Sequence, residues 1–93
     1  MEMQKNKPTQ YQQVFSELSG SHFVVGAKQL RKALQRGTAR KVLLAMNADP
    51  AITEPIEQMC REFHIDFAWV PTMLDLGKAC GIEVGAAAAA AVD

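Results

Sequence analysis

Aromatic residues are scarce in this chain, and net charge is absent. Phe, Trp and Tyr make up only 6% of the 93 residues, so any core must be assembled from Val, Ile, Leu, Met and Ala. Ten basic residues balance ten acidic ones, which excludes the bulk attraction to a polyanion that a strongly basic protein exerts. The two cysteines, Cys60 and Cys80, give neither a metal-ligand spacing nor a disulfide framework. Both stand among apolar neighbours on expected helices, so they read as buried free thiols suited to a reducing cytoplasm. The N-terminus lacks the charged-then-apolar pattern of a secretory signal. No run reaches the roughly 18 apolar residues of a membrane helix. Gly77, Gly81 and Gly85 are spaced like a membrane packing motif, but Lys78 and Glu83 interrupt it. Signatures of catalysis are missing too: there is no Walker loop and no G-x-G-x-x-G after a strand. His22 and His64 are isolated, and Glu54 and Glu57 fall on an expected exposed helix face. The expectation is a cytoplasmic protein that is not an enzyme, with no metal, cofactor or membrane partner.

What is present is enough for one domain. A single core rarely needs more than about 100–150 residues, and 48% of the chain is hydrophobic. Residues 1–7 are polar and read as a flexible tail, with residues 8–93 as the domain. From Pro8 to Leu18, Tyr11, Val14, Phe15 and Leu18 recur at helical spacing. Phe23-Val24-Val25 is a short strand stopped by Gly26. Ala27 to Arg36 reads as a helix with Leu30, Ala33 and Leu34 inward and Gly37 as its C-terminal cap. Lys41 to Met46 suits a buried strand. Asp49 and Pro50 open the next helix, which carries Ile52, Ile56, Met59, Cys60 and Phe63 on one stripe. Asp66 to Val70 is another strand, in which Trp69 is expected to be buried. Thr72 and Asp75 resemble a capping box for a helix that Gly81 closes. Ala86 to Ala91 stays open: alanine is the strongest helix former, yet a strand covered on both faces can also be built of small residues. The alternation of strands and helices indicates an α/β fold with helices on both sides of a small sheet.

Charge is absent in sum but not in distribution. No acid occurs between Glu17 and Asp49, whereas Lys28, Arg31, Lys32, Arg36, Arg40 and Lys41 all lie there. Eight of the ten acids lie from Asp49 onward. A basic face set against an acidic remainder follows, and local potential matters more to a polyanion than the total; an ordinary solvated helix face would carry the same charges. A strand, Gly26 and then a helix opening with Ala27-Lys28-Gln29 form the sharpest constellation. Glycine there lets another backbone approach closely, and the helix N-terminus offers unpaired N–H groups to a phosphate. Lysine and glutamine in the first turn can reach base edges, and Lys32 lies one turn on.

Three ordered blocks carry a resemblance. They are Val25-Gly26-Ala27-Lys28-Gln29-x-x-Lys32-Ala33-Leu34-x-x-Gly37, then Val42-x-x-Ala45-x-x-Ala48-Asp49-Pro50, then Val70-Pro71 with Leu76-Gly77-Lys78-Ala79-Cys80-Gly81-Ile82-Glu83-Val84-Gly85-Ala86-Ala87-Ala88. The chain resembles the kink-turn-binding family of ribosomal proteins over about Phe23 to Val92, most closely its small bacterial YbxF-type branch. The resemblance implies a three-layer α/β/α sandwich with a small mixed four-stranded sheet, and it makes the alanine run a buried strand. It also implies recognition of kink-turn RNA, not DNA, by a monomer that can be ribosome-associated. Residues matching Gly26, Lys28, Gln29 and Lys32 would meet sheared G·A pairs, with Ala27, Arg31 and Arg36 beside them. Val70, Pro71, Thr72, Met73 and Leu74 would pack against an extruded base, although the apolar ones could instead be core rim. Two other readings fit the fold: a protein-interaction paralogue without RNA binding, or an accessory subunit for RNA modification.

Overall fold

The computed structural model describes residues 22–92; the helix expected from Pro8 to Leu18 and the tail before it lie outside them. Among the described residues four strands and three helices alternate: β1 (His22–Val25), α1 (Ala27–Arg36), β2 (Ala39–Ala45), α2 (Pro50–Phe63), β3 (Phe67–Val70), α3 (Met73–Ala79) and β4 (Ala88–Val92). The strands form one mixed sheet in the order β1-β4-β2-β3. β4 runs antiparallel to β1 and β2, while β2 and β3 are parallel. Hence β1, β2 and β3 all point the same way.

Two core clusters lie back to back across this sheet. On one face Leu30, Ala33 and Leu34 of α1 and Ile56 and Cys60 of α2 pack on Val42, Leu44, Ala88 and Ala90. On the other, Leu76 of α3 packs on Leu43, Ala45, Val70 and Ala89. The result is the expected α/β/α sandwich. The alanine run is its central strand: Ala88, Ala89, Ala90 and Ala91 are fully buried. A strand with neighbours on both edges and helices on both faces has room only for small side chains, so layer spacing overrides alanine's preference for helix.

Local signals place the helix ends as read. Gly37 caps α1 in the left-handed conformation at φ 76°, where glycine meets no Cβ penalty. The Asp49 carboxylate accepts from the Ala51 N–H at 3.0 Å, with Pro50 at the first helical position. Thr72 Oγ1 accepts from the Asp75 N–H at 3.0 Å, and α3 ends at Ala79, two residues before Gly81.

Four expectations about burial need correcting. Ile52 and Phe63 on α2 are exposed, at 36% and 42%, and Thr53 is buried with Ile56 and Cys60 instead. The inward face of α2 is therefore rotated from the apolar stripe, toward the flank on which the Arg61 guanidinium stacks over the Phe67 ring at 5.5 Å. Trp69 is 38% exposed. It shares the face of Phe67 by strand alternation, but among the described strands β3 is at the edge, with a neighbour on one side only. Cys80 is half-buried just past α3. Cys60 is buried, and burial first, with the Glu57 carboxylate second, pushes its thiol from 9.0 up to about 11. It is an inert, protonated core group.

Candidate nucleic-acid interface

Because β1, β2 and β3 point the same way, their C-terminal ends share one edge of the sheet. Each leads directly into a helix, so the N-termini of α1, α2 and α3 gather there beside the start of β4. Open α/β sheets bind ligands at this kind of edge. The C-terminal end of α2 with His64, and His22 at the start of β1, lie at the opposite end. Among the described residues no three His, Cys, Asp or Glu side chains are grouped as metal ligands would be.

The three helix N-termini differ in one respect. Asp49 caps α2, and Thr72 caps α3. Among the described residues no side chain caps α1, and its first turn carries no acid. Helix N-terminal N–H groups need an acceptor from water, a side chain or a ligand. At α1 no described side chain supplies it, and these groups stand in front of the partial positive charge of the helix. Gly26 at the entrance has φ 102°, a conformation that disfavours any side chain. Among the described residues nothing lies within 4 Å of where its Cβ would stand, so none of them fills the space in front of it.

Along α1, Lys28, Gln29, Arg31, Lys32 and Arg36 are all exposed. Lys28, Lys32 and Arg36 are four residues apart and form one stripe; Arg31 lies beside it. Among the described residues no carboxylate pairs with any of these four cations. Ala27 is half-buried against the core. The basic constellation read from the sequence is therefore assembled on one outward face.

The segment 70–74 is divided. Val70 is fully buried in the cluster beneath α3, so as a surface contact it is corrected to core. Pro71 and Leu74 are exposed, and Thr72 and Met73 are half-buried. Two exposed apolar residues beside them were not anticipated: Met46 and Val84. The Met46 N–H donates to the Val70 carbonyl at 2.8 Å. A Cβ on Gly77 would overlap the Val84 carbonyl oxygen, so the 82–85 stretch lies directly on α3. Flanking glycines are the only sequence signal that this stretch makes a close approach.

The α1 tip and the 71–74 loop hang from the same short stretch of chain. The Gly26 N–H donates to the Ala88 carbonyl at 3.0 Å, and the Met73 carbonyl accepts from the Ala86 N–H at 2.9 Å. Two residues of extended chain span about 7 Å, so the cationic tip and the apolar loop are neighbours on one rim.

Residues 10–93 match the model of the ribosomal protein L7Ae/L30e/S12e/Gadd45 family. The chain belongs to this family. Its relatives include an RNA-binding protein of Bacillus pumilus (strain SAFR-032), 46% identical over 67 residues, which cover 72% of this chain and 82% of that one. The RNA-binding protein YbxF of Geobacillus stearothermophilus is 41% identical over 73 residues, 78% of this chain and 89% of that one. Among solved structures, the Giardia lamblia 15.5kD RNA binding protein superposes with a TM-score of 0.75 at 26% identity, covering 86% of this chain and 68% of that one.

Proposed function

We propose that this member of the L7Ae family is a non-catalytic RNA-binding protein that captures and stabilises kink-turn RNA, acting in the cytoplasm as part of ribonucleoprotein assemblies. The observation that carries the reading is the acid-free, cationic helix α1, with no side-chain cap among the described residues, standing on one rim with the exposed Pro71 and Leu74. Relatives named for RNA binding support it. Lys28 and Gln29 would read base edges that sheared purine pairs leave open, and Gly26 would let the RNA backbone close in. Arg31, Lys32 and Arg36 would hold phosphates. Pro71 and Leu74, with Met46 and Val84 beside them, offer an apolar surface to an unstacked base, whose π-face a duplex would hide. RNA flexes between extended and bent forms, and the protein favours the bent one only through its higher affinity for it.

The test is a calorimetric titration with a synthetic kink-turn and with the same RNA lacking its G·A pairs. Tight binding of the first and weak binding of the second is expected. Lys28→Ala and Lys32→Ala should each weaken binding by about 1–3 kcal/mol. Equal affinity for both RNAs would reject kink-turn recognition, and wild-type binding by both variants would reject the α1 face.

A further inference from the structure

We propose that the outer edge of β3 is a self-association surface, on which a second copy of this chain pairs its own β3 antiparallel about a twofold axis at Ala68. β3 is the last strand of the described sheet, with β2 on one side. The Asp66 carbonyl accepts from the Val42 N–H at 3.0 Å, and the Val70 carbonyl from the Met46 N–H at 2.8 Å. Asp66 and Val70 therefore turn their peptide groups toward β2, and by alternation Phe67 and Trp69 turn theirs outward. Among the described residues nothing pairs with these outward groups. The open edge is bounded on both sides: the Ile65 N–H is given to the Cys60 carbonyl at 2.8 Å, and Pro71 has no N–H to give. Between those limits no bulge, proline or charged side chain blunts it.

Two outward residues separated by one make an edge that is its own complement. In the twofold pair Ala68 faces the second copy's Ala68. Phe67 then exchanges both backbone hydrogen bonds with the second copy's Trp69, and Trp69 with its Phe67. Every outward N–H and carbonyl is used. The side chains match as well. Phe67 packs under α1 and α2, and Ala68 and Val70 pack on the opposite side, so Trp69 projects with Phe67. Pairing sets Trp69, 38% exposed in the single chain, beside the second copy's Phe67 as an aromatic cross-strand pair. A foreign strand would have to bring such rings; a second copy brings them in register. With ten charges of each sign, two copies meet without net repulsion. The family resemblance implies a monomer; this edge adds an association that grows with concentration. Because the paired strands run oppositely, the joined sheet presents one helix-N-terminal rim at each end. On the RNA-binding reading above, those are two RNA sites.

The full chain is followed by sedimentation equilibrium from about 5 µM to about 1 mM, a range suited to a contact smaller than a standard interface. Amide exchange and the emission of Trp69, the chain's one tryptophan, are read in parallel. The mean mass should rise from one chain toward two. Trp69 emission should shift to the blue, and the Phe67 and Trp69 N–H groups should gain protection over the same concentrations. Trp69→Lys, a charge of the kind that blocks edge pairing, should move the association at least about tenfold higher in concentration. A second variant does not depend on that substitution being tolerated. Facing residues of a non-hydrogen-bonded pair have Cα atoms about 4.5 Å apart, within disulfide range. In a Cys80→Ala background, with Cys60 buried, Ala68→Cys should therefore oxidise to a cross-linked dimer much faster than Gln35→Cys, a control at an exposed position of α1. A chain that stays single throughout overturns the proposal. So does an association that folded Trp69→Lys leaves unchanged, or cross-linking of Ala68→Cys no faster than that of the control. A dimer that binds no kink-turn RNA supports the pairing and removes the reading above.

Discussion

Lys32 has a lysine one turn before it and an arginine one turn after, all exposed on α1. Like charges at this spacing destabilise a helix by about 0.2–0.5 kcal/mol per pair, and among the described residues no carboxylate offsets them. Stability alone would favour an acid at this position. Lys32→Glu turns two repulsions into two attractions at nearly unchanged helix propensity, so the folded protein should gain about 1–2 kcal/mol. RNA affinity should fall by more than the about 1–3 kcal/mol expected for removing the cation alone. Parallel melting curves and titrations check this; a variant that melts lower, or one that still binds RNA normally, contradicts it. A residue that weakens its own helix where no contact needs it is best explained by a ligand.

At the scale of elements, what was legible depended on how locally the cause acts. Helix ends were readable because caps are written within a few residues, as at Asp49-Pro50 and Gly37. The charged face of α1 was readable because 3.6-residue spacing carries it. β4 was not, since a strand buried on both faces shows no alternation and its alanines favour the wrong element; only the resemblance to a known family decided it. Ile52, Phe63 and Trp69 were misplaced because apolar identity does not tell how far a neighbouring layer extends. Val70, given to the binding surface with core rim as the alternative, is core, while Met46, read as the end of a buried strand, and Val84 are exposed, for the same reason. The hydrogen bond from the Met73 N–H to Asn47 Oδ1, spanning 26 residues, has no local signature at all. The close layer spacing that selected alanine in β4 can be tested. Ala90 lies at 0% exposure between the sheet and the α1–α2 layer. Ala90→Val should cost about 1–3 kcal/mol despite valine's higher strand propensity, read as a lowered urea midpoint at unchanged slope. A neutral or stabilising result would mean that the layers are looser than their burial indicates.

Over the whole molecule the charges cancel, with ten of each sign, yet the proposed binding is electrostatic. The two statements are compatible because the charges are sorted in space. Lys28, Arg31, Lys32 and Arg36 share one helix without acids, whereas α2 carries Glu54, Glu57 and Glu62 with only Arg61 against them. The Debye length at physiological salt is about 8 Å. The 14 residues of α2 span roughly 20 Å, so its C-terminal acid Glu62 lies about two screening lengths from the N-terminal tip of α1, where Gly26 and Lys28 stand. Affinity should then follow the local cations rather than the net charge. Neutralising phosphates with about four cations gives a log–log salt slope near −3 to −4. Lys28→Ala should make that slope shallower by about one. Glu62→Gln, which changes net charge by one unit in the opposite sense, should leave the slope unchanged. If the two substitutions shift the salt dependence by comparable amounts, the RNA feels the molecule as a whole, and the assignment of the interface to α1 is wrong.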